Sequence, residues 1–193
     1  YKVAPEEGSA FYIRQEYLPG VKIESLETGF ELNEEMTDLF LDAGLACVGE
    51  LKAVDYLARA EQSRFGLAKK LAAKQFEKKY INMALDVLEL KNYLSDERFA
   101  RAWLNIRKIN HYEGYSRLVS ELQSRGISRE IAETAVNDFF SENDENDICL
   151  KAYKKMVKRG KEGDKLAAAM LQAGFSFKQI KAAKELFESE KSI

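Results

Sequence analysis

The stretch Tyr93-Leu94-Ser95-Asp96-Glu97-Arg98-Phe99-Ala100-Arg101-Ala102-Trp103 lies mid-chain and marks where one structural unit hands over to the next. Tyr93 and Leu94 close a preceding helix. Ser95 offers a side-chain oxygen to the free amides that open the following one. Asp96 and Glu97 place negative charge at the positive end of that helix's dipole. Beyond them Phe99, Trp103 and Ile106 stand at i, i+4 and i+7, a single helical face expected to be core.

Outward from this point the helical pattern repeats. Leu67, Leu71 and Phe76 are spaced by 4 and then 5 residues, as are Leu118, Leu122 and Ile127, and Leu166, Met170 and Phe175. The first members of these triplets are 51 and then 48 positions apart. Gly126 and Gly174 precede the last residue of the second and third triplets, where a left-handed residue ends a helix. A helical segment precedes each triplet, at 51–61, 96–109 and 148–157. Another follows, carrying Ile81, Leu85 and Leu88, then Ile131, Ala135 and Phe139, then Ile180, Ala183 and Phe187. The last of these opens on Ser176 and Gln179 at capping-box spacing. A period of about 50 residues holding three helices indicates a modular array. The fold class expected is all-α, with three-helix repeats at 51–94, 95–142 and 143–193. Each unit is small enough that stacking on its neighbours should matter.

Residues 1–50 read differently. Phe11-Tyr12-Ile13 and Tyr17-Leu18 precede the turn dipeptide Pro19-Gly20, and Val21-Lys22-Ile23 follows it, which predicts a short β-hairpin. Glu27-Thr28-Gly29 before Phe30-Glu31-Leu32 is a second turn candidate. Asn33 with Glu34 and Glu35 then caps a helix carrying Met36, Leu39 and Phe40.

Composition narrows the function classes. The 193 residues are 46% hydrophobic, with 11 Phe, 9 Tyr and only 2 Pro, which is a globular and helix-compatible balance. No apolar run approaches the roughly 20 residues of a membrane span, and residues 1–30 are not expected to act as a signal segment, lacking the charged-then-apolar pattern. Cys47 and Cys149 lack metal-site spacing, so a reduced, cytoplasmic protein is expected. The net charge of -2 conceals an asymmetry. Residues 1–50 carry 3 basic and 11 acidic side chains, whereas residues 51–193 carry 27 and 21. A basic body suits a polyanion or an acidic protein surface as partner.

Nothing in the sequence forms a catalytic constellation. The single histidine, His111, lies in the loop Asn110-His111-Tyr112-Glu113-Gly114, with no second ligand for zinc. Neither a Walker loop nor a dinucleotide fingerprint occurs. Cys149 shares a face with Ala152, Tyr153 and Met156 and reads as a small buried hydrophobe. No enzyme activity, cofactor or metal is expected.

The Tyr93–Ala100 motif resembles the signature of the RecX family, bacterial regulators of the recombinase RecA. Tyr56-Leu57-Ala58-Arg59 with Ser63 and Leu67-Ala68-Lys69-Lys70-Leu71 is similar to the family's first repeat. Tyr115-Ser116-Arg117-Leu118 through Leu122 and Arg125-Gly126-Ile127 is similar to its second. The resemblance spans roughly residues 50–190. It implies an elongated, curved array of three-helix repeats. It also implies binding to the RecA filament on single-stranded DNA, with auxiliary DNA affinity, and restraint of recombination, strand exchange and SOS-related activities. A monomer is expected, since no feature argues for an obligate dimer. Gln75 stands where the family usually has glycine, which predicts a differently built first junction. The acidic segment 141–147 reads as a flexible linker before the least well matched repeat.

On a helical wheel Arg98, Arg101, Asn105 and Lys108 form one stripe, away from Phe99, Trp103 and Ile106. Lys151, Lys154, Lys155 and Lys158 form another at the equivalent place in the third repeat, and Arg159 and Lys161 extend it. The candidate partner-binding residues are Arg98, Arg101 and Lys108, Arg117 and Arg125 from the second repeat's motif, and Lys151, Lys154, Lys155, Lys158 and Arg159. Contacts to phosphates, to acidic RecA surface, or to both fit the pattern. A trihelical protein that binds DNA without RecA is the alternative.

Overall fold

A computed structural model of the chain describes residues 1–191. It forms two compact units that divide between Ser95 and Asp96. Residues 192 and 193, which end the expected third repeat, lie outside the described residues.

In the first unit, β1 (Lys2–Val3) pairs antiparallel with β2 (Phe11–Tyr12), setting Lys2 opposite Tyr12 and Val3 opposite Phe11. The hairpin therefore exists, but not where the turn signal put it. Residues around Pro19-Gly20 form single 3-10 turns at Gln15–Tyr17 and Ile23–Ser25 instead of strands. The Gln15 side chain holds this compact form: its Nε2 donates to the carbonyl of Val21 at 2.6 Å and its Oε1 accepts the amide of Ile23 at 3.1 Å. Helix α1 (Glu34–Leu57) starts as expected, with Asn33 Oδ1 accepting the amide of Met36 at 2.8 Å. It runs unbroken past residue 50, so one helix both carries Met36 and Phe40 and opens the first repeat. Helices α2 (Arg64–Ala72) and α3 (Lys78–Leu90) complete that repeat. Ser63 caps α2 by accepting the amide of Gly66 at 3.0 Å.

Two cores hold this unit. Ala53, Leu67, Leu71, Ile81, Leu85, Leu88 and Leu94 close the three helices on one another. Ile13, Tyr17, Leu18 and Ile23 pack the N-terminal segment on Phe40, Ala43 and Cys47 of α1. Glu50, only 2% exposed, anchors that second contact. It accepts a 2.8 Å hydrogen bond from the Tyr17 hydroxyl and stands 2.8 Å from Arg14 Nε. Burial, and then Glu50 itself, push the Tyr17 hydroxyl pKa well above its usual range.

The second unit holds α4 (Asp96–Asn110), α5 (Tyr115–Gln123) and α6 (Arg129–Glu142), then α7 (Glu145–Lys158), α8 (Gly163–Gln172) and α9 (Phe177–Lys191). Among the described residues the chain is thus all-α apart from the N-terminal hairpin, and its helices follow in threes. Leu118, Leu122 and Ile127 are buried, as are Leu166, Met170 and Phe175, and Leu67 and Leu71 of the first triplet. Phe76 is half-buried.

The three junctions within the repeats are built alike. Gln75, Gly126 and Gly174 take φ of 66°, 85° and 95°. After them the amides of Phe76, Ile127 and Phe175 reach back to Leu71, Leu122 and Met170 at 3.3, 3.2 and 3.3 Å. This is the left-handed helix stop of a Schellman turn. The expectation of a different first junction is corrected: Gln75 adopts the glycine conformation, beside the buried Leu67 and Leu71 and the half-buried Phe76.

Two further expectations change. Segment 141–147 is not a free linker, because α6 runs to Glu142 and α7 starts at Glu145. Asp144 makes the tight corner by accepting the amide of Asn146 at 2.8 Å, and Asn143 Nδ2 donates to the carbonyl of Phe139 at 2.7 Å. In α4 the enclosed face is Ala100 and Leu104, with Phe99 and Trp103 half-buried at its margin. Ile106 is 69% exposed. At about 100° per residue it lies roughly 120–160° around the helix from Ala100 and Leu104, which share a core with residues of α5 and α6.

The loop before α5 and the loop after α8 tie the two helix triplets of this unit together. The amide of Gly114 donates to the carbonyl of Ala173 at 2.9 Å, and the Ser116 hydroxyl donates to that of Gly174 at 3.1 Å. The amide of Tyr115 donates to the Glu145 carboxylate at 3.0 Å.

Candidate interaction surface

The basic residues singled out in the sequence fall into three groups in the second unit. On α4, Arg101 and Lys108 are exposed and Arg98 is half-exposed. Arg101 makes only a loose 3.7 Å approach to Asp138. Lys108 has no ionic partner among the described residues. Ile106 and Ile109, 69% and 70% exposed, stand among these cations on the same outer side. The sequence reading assigned Ile106 to the core and gave Ile109 no role. Their exposure follows from which flank of α4 is covered, a tertiary fact.

Arg117 and Arg125 belong to a different arrangement. Trp103 lies beneath two guanidinium groups, Arg107 at 5.3 Å and Arg125 at 4.7 Å from the ring centroid. Arg107 donates to both Glu113 oxygens at 2.7 and 2.9 Å. Arg125 pairs with Glu121 at 2.7 Å and Arg117 with Glu121 at 2.5 Å. Arg117 also stands 3.9 Å from Glu113. Charges therefore alternate Arg107, Glu113, Arg117, Glu121, Arg125 around one indole. Desolvation works against ionised Glu121, but the hydrogen bond from Arg125 and the charges of Arg117, Arg125 and Arg107 outweigh it and lower its pKa. Such a bidentate network fixes geometry better than isolated surface pairs do. Two of the predicted contact residues, Arg117 and Arg125, are thus engaged in holding α4 against α5.

The α7 stripe is also divided. Lys151 pairs with Asp147 at 2.6 Å and Lys154 with Glu190 at 2.5 Å. Lys155 lies 5.2 Å from the centroid of the Tyr112 ring. Lys158 and Arg159 are exposed and, among the described residues, carry no ion pair. Lys161 follows on the far side of Gly160, whose φ of 77° turns the chain. The outer end of α7 therefore carries three exposed cations, Lys158, Arg159 and Lys161, with no ion pair among the described residues.

Between these elements lie shallow clefts. One, of about 560 Å³, brings Lys108 and Lys151 together with Glu142, Asp144 and Asp147. Another, along the α4–α6 boundary, sets Arg101 and Asn105 against Asp138 and Glu142. Both are electrostatically mixed. His111 lines the first cleft and a small recess with Tyr112, Lys155 and Arg159.

The described residues contain no group of three or more His, Cys, Asp or Glu side chains able to hold a metal ion. Both cysteines are buried free thiols. Burial pushes the Cys149 thiol up to about 11, far from the range of a reactive nucleophile. No described helix is long and apolar enough to cross a membrane. The arrangement is suited to binding through charge and shape.

A regulatory protein RecX of Treponema pallidum is 38% identical over 127 residues, covering 66% of this chain and 77% of that protein. The chain belongs to the RecX family. A RecX regulatory protein of Clostridioides difficile is 28% identical over 162 residues, 81% of this chain and 76% of its own length. The family's second three-helix domain matches residues 95–136, from the residue before α4 into α6. Two solved structures share the fold. A regulatory protein RecX superposes with a TM-score of 0.74 at 18% identity, over 83% of each chain. RecX from Lactobacillus salivarius superposes with a TM-score of 0.63 at 19% identity, over 75% of this chain and 97% of that one.

Proposed function

We propose that this RecX-family chain is a regulator without catalytic activity that binds the RecA filament on single-stranded DNA. Binding would use the outer faces of α4 and α7 and restrain strand exchange, recombination and SOS-linked activities. The observation that carries the reading is recurrence. The first helix of two successive triplets, α4 and α7, turns basic residues outward, and the relatives it matches are named regulatory proteins. The residues committed to contact are Arg98, Arg101 and Lys108 on α4, and Lys155, Lys158 and Arg159 on α7. Lys151 and Lys154 join them by exchanging their intramolecular partners.

Three-helix modules at 51–94, 95–142 and 143–193, acting as a monomer in the cytoplasm, complete the proposal. The uncompensated tip at Lys158, Arg159 and Lys161 is suited to phosphates, so part of the affinity should fall with salt. The test is RecA's DNA-dependent ATP hydrolysis at increasing amounts of this protein. Suppression at substoichiometric amounts is the expected result. No effect at equimolar protein, together with tight, base-selective binding to duplex DNA alone, would instead favour a DNA-binding protein that works without RecA.

A further inference from the structure

The basic stripe of α4 is not built like a phosphate track. At about 100° per residue, Arg98, Arg101, Ala102, Asn105, Ile106, Lys108 and Ile109 fall within roughly 160° of arc. Ile106 and Ile109 are one turn apart and 69% and 70% exposed. A phosphodiester backbone gains nothing from two branched aliphatic side chains. Water-exposed apolar groups ringed by arginine and lysine are instead the anatomy of a protein contact. The neighbouring wall argues the same way. Asp138 and Glu142 face the α4–α6 groove beside Arg101 and Asn105, and Glu97 and Glu130 flank Arg101 at its other end. A polyanion following the stripe would run against these carboxylates. A folded protein surface answers both signs, pairing carboxylates with Arg98, Arg101 and Lys108 around an apolar recess for the isoleucines.

We infer that α4 is a protein-docking face whose centre is Ile106 and Ile109 and whose occupant is a folded protein surface of mixed charge, with an apolar centre, carboxylates opposite Arg101 and Lys108, and basic groups opposite Asp138 and Glu142. Nucleic-acid affinity belongs to the outer end of α7. The inference rests on the filament reading above and divides its two partners between two helices. Lys158, Arg159 and Lys161, which carry no isoleucine between them, serve the phosphates.

The test compares the full chain with Ile106→Ser/Ile109→Ser and with the conservative Ile106→Leu/Ile109→Leu. Binding is measured to RecA-coated single-stranded DNA and to the same DNA bare. Both positions are exposed, so melting curves should coincide with that of the unsubstituted chain. The serine variant should lose roughly tenfold or more in filament affinity, keep its affinity for bare DNA, and be rescued by leucine. Unchanged filament affinity, or an equal loss on bare DNA, overturns the inference while the filament reading stands. Failure of the unsubstituted chain to bind the filament at all overturns the filament reading and this inference with it.

Discussion

Gly114 and Gly174 lie in contact where the loop before α5 crosses the loop after α8. A Cβ on Gly114 would stand 2.5 Å from the carbonyl oxygen of Gly174, and one on Gly174 would stand 2.6 Å from the amide nitrogen of Arg117. Backbone touches backbone here, so neither side can yield by rotating a side chain. This crossing, with the Gly114–Ala173 hydrogen bond, joins the second and third repeats into one unit.

Gly114 has an ordinary φ of -86°, so alanine there adds no backbone strain and probes the contact together with the glycine N-cap of α5. Gly114→Ala should destabilise the second unit by about 1–3 kcal/mol, the range for forced overpacking. Urea unfolding followed by the fluorescence of Trp103, the chain's one tryptophan, provides the measurement. Stability unchanged within error would mean that the two loops part freely.

Gln75 is the counterpart among the junctions. It occupies the left-handed region with a side chain, at a cost of about 1–2 kcal/mol that glycine avoids. Glycine returns part of that gain through the greater freedom of the unfolded chain. Gln75→Gly should therefore raise the stability of the first unit by about 0.5–1 kcal/mol. Thermal unfolding followed by circular dichroism checks it, and a lowered midpoint would contradict the account.

Trp103 is half-buried, with its ring under Arg107 and Arg125. Replacing a fully enclosed aromatic by alanine costs roughly 3–5 kcal/mol, so Trp103→Ala should cost less, about 2 kcal/mol. Trp103→Phe should recover most of it, since a smaller ring still lies beneath the guanidinium groups. A loss at the full range of an enclosed ring would show that the indole is core after all.

Glu121 contributes to the acid behaviour of the second unit. Its pKa is lowered in the folded state, so it contributes stability that is fully present above the unfolded value of about 4.3. That contribution is lost as pH falls through the folded pKa, because the unfolded chain then binds the additional proton. Glu121→Gln should cost on the order of 1 kcal/mol at neutral pH and flatten the decline in stability below pH ~4.5. Equal acid slopes in the two proteins would exclude Glu121 as a contributor.

The repeat was legible because its signal is local. A triplet with fixed spacing needs only a helix, a left-handed stop and one residue beyond it, and Leu118, Leu122 and Ile127 carry all three in sequence. Strand Phe11-Tyr12 lies where the sequence puts it, but its partner does not, because β1 is only Lys2–Val3, too short for any alternation, while Pro19-Gly20 suits 3-10 corners as well as a hairpin. Ile106 was read as core since i, i+4 and i+7 from Phe99 is a valid face. Which face is covered depends on where α5 and α6 approach, and they choose Ala100 and Leu104. The basic stripes were visible on a wheel, but their internal partners were not equally so. The Lys151–Asp147 pair is an i, i+4 contact open to sequence reading, whereas Lys154–Glu190 needs α9 folded back on α7.

The central claim is that the outer faces of α4 and α7 carry filament binding. Arg101→Glu, Lys108→Glu, Lys158→Glu and Arg159→Glu combined reverse charge at exposed positions that hold no core contact. The decisive measurement is the affinity of this variant for RecA-coated single-stranded DNA, beside its melting curve. The account predicts an intact fold and a loss of roughly tenfold or more. Unchanged affinity with an intact fold would contradict it.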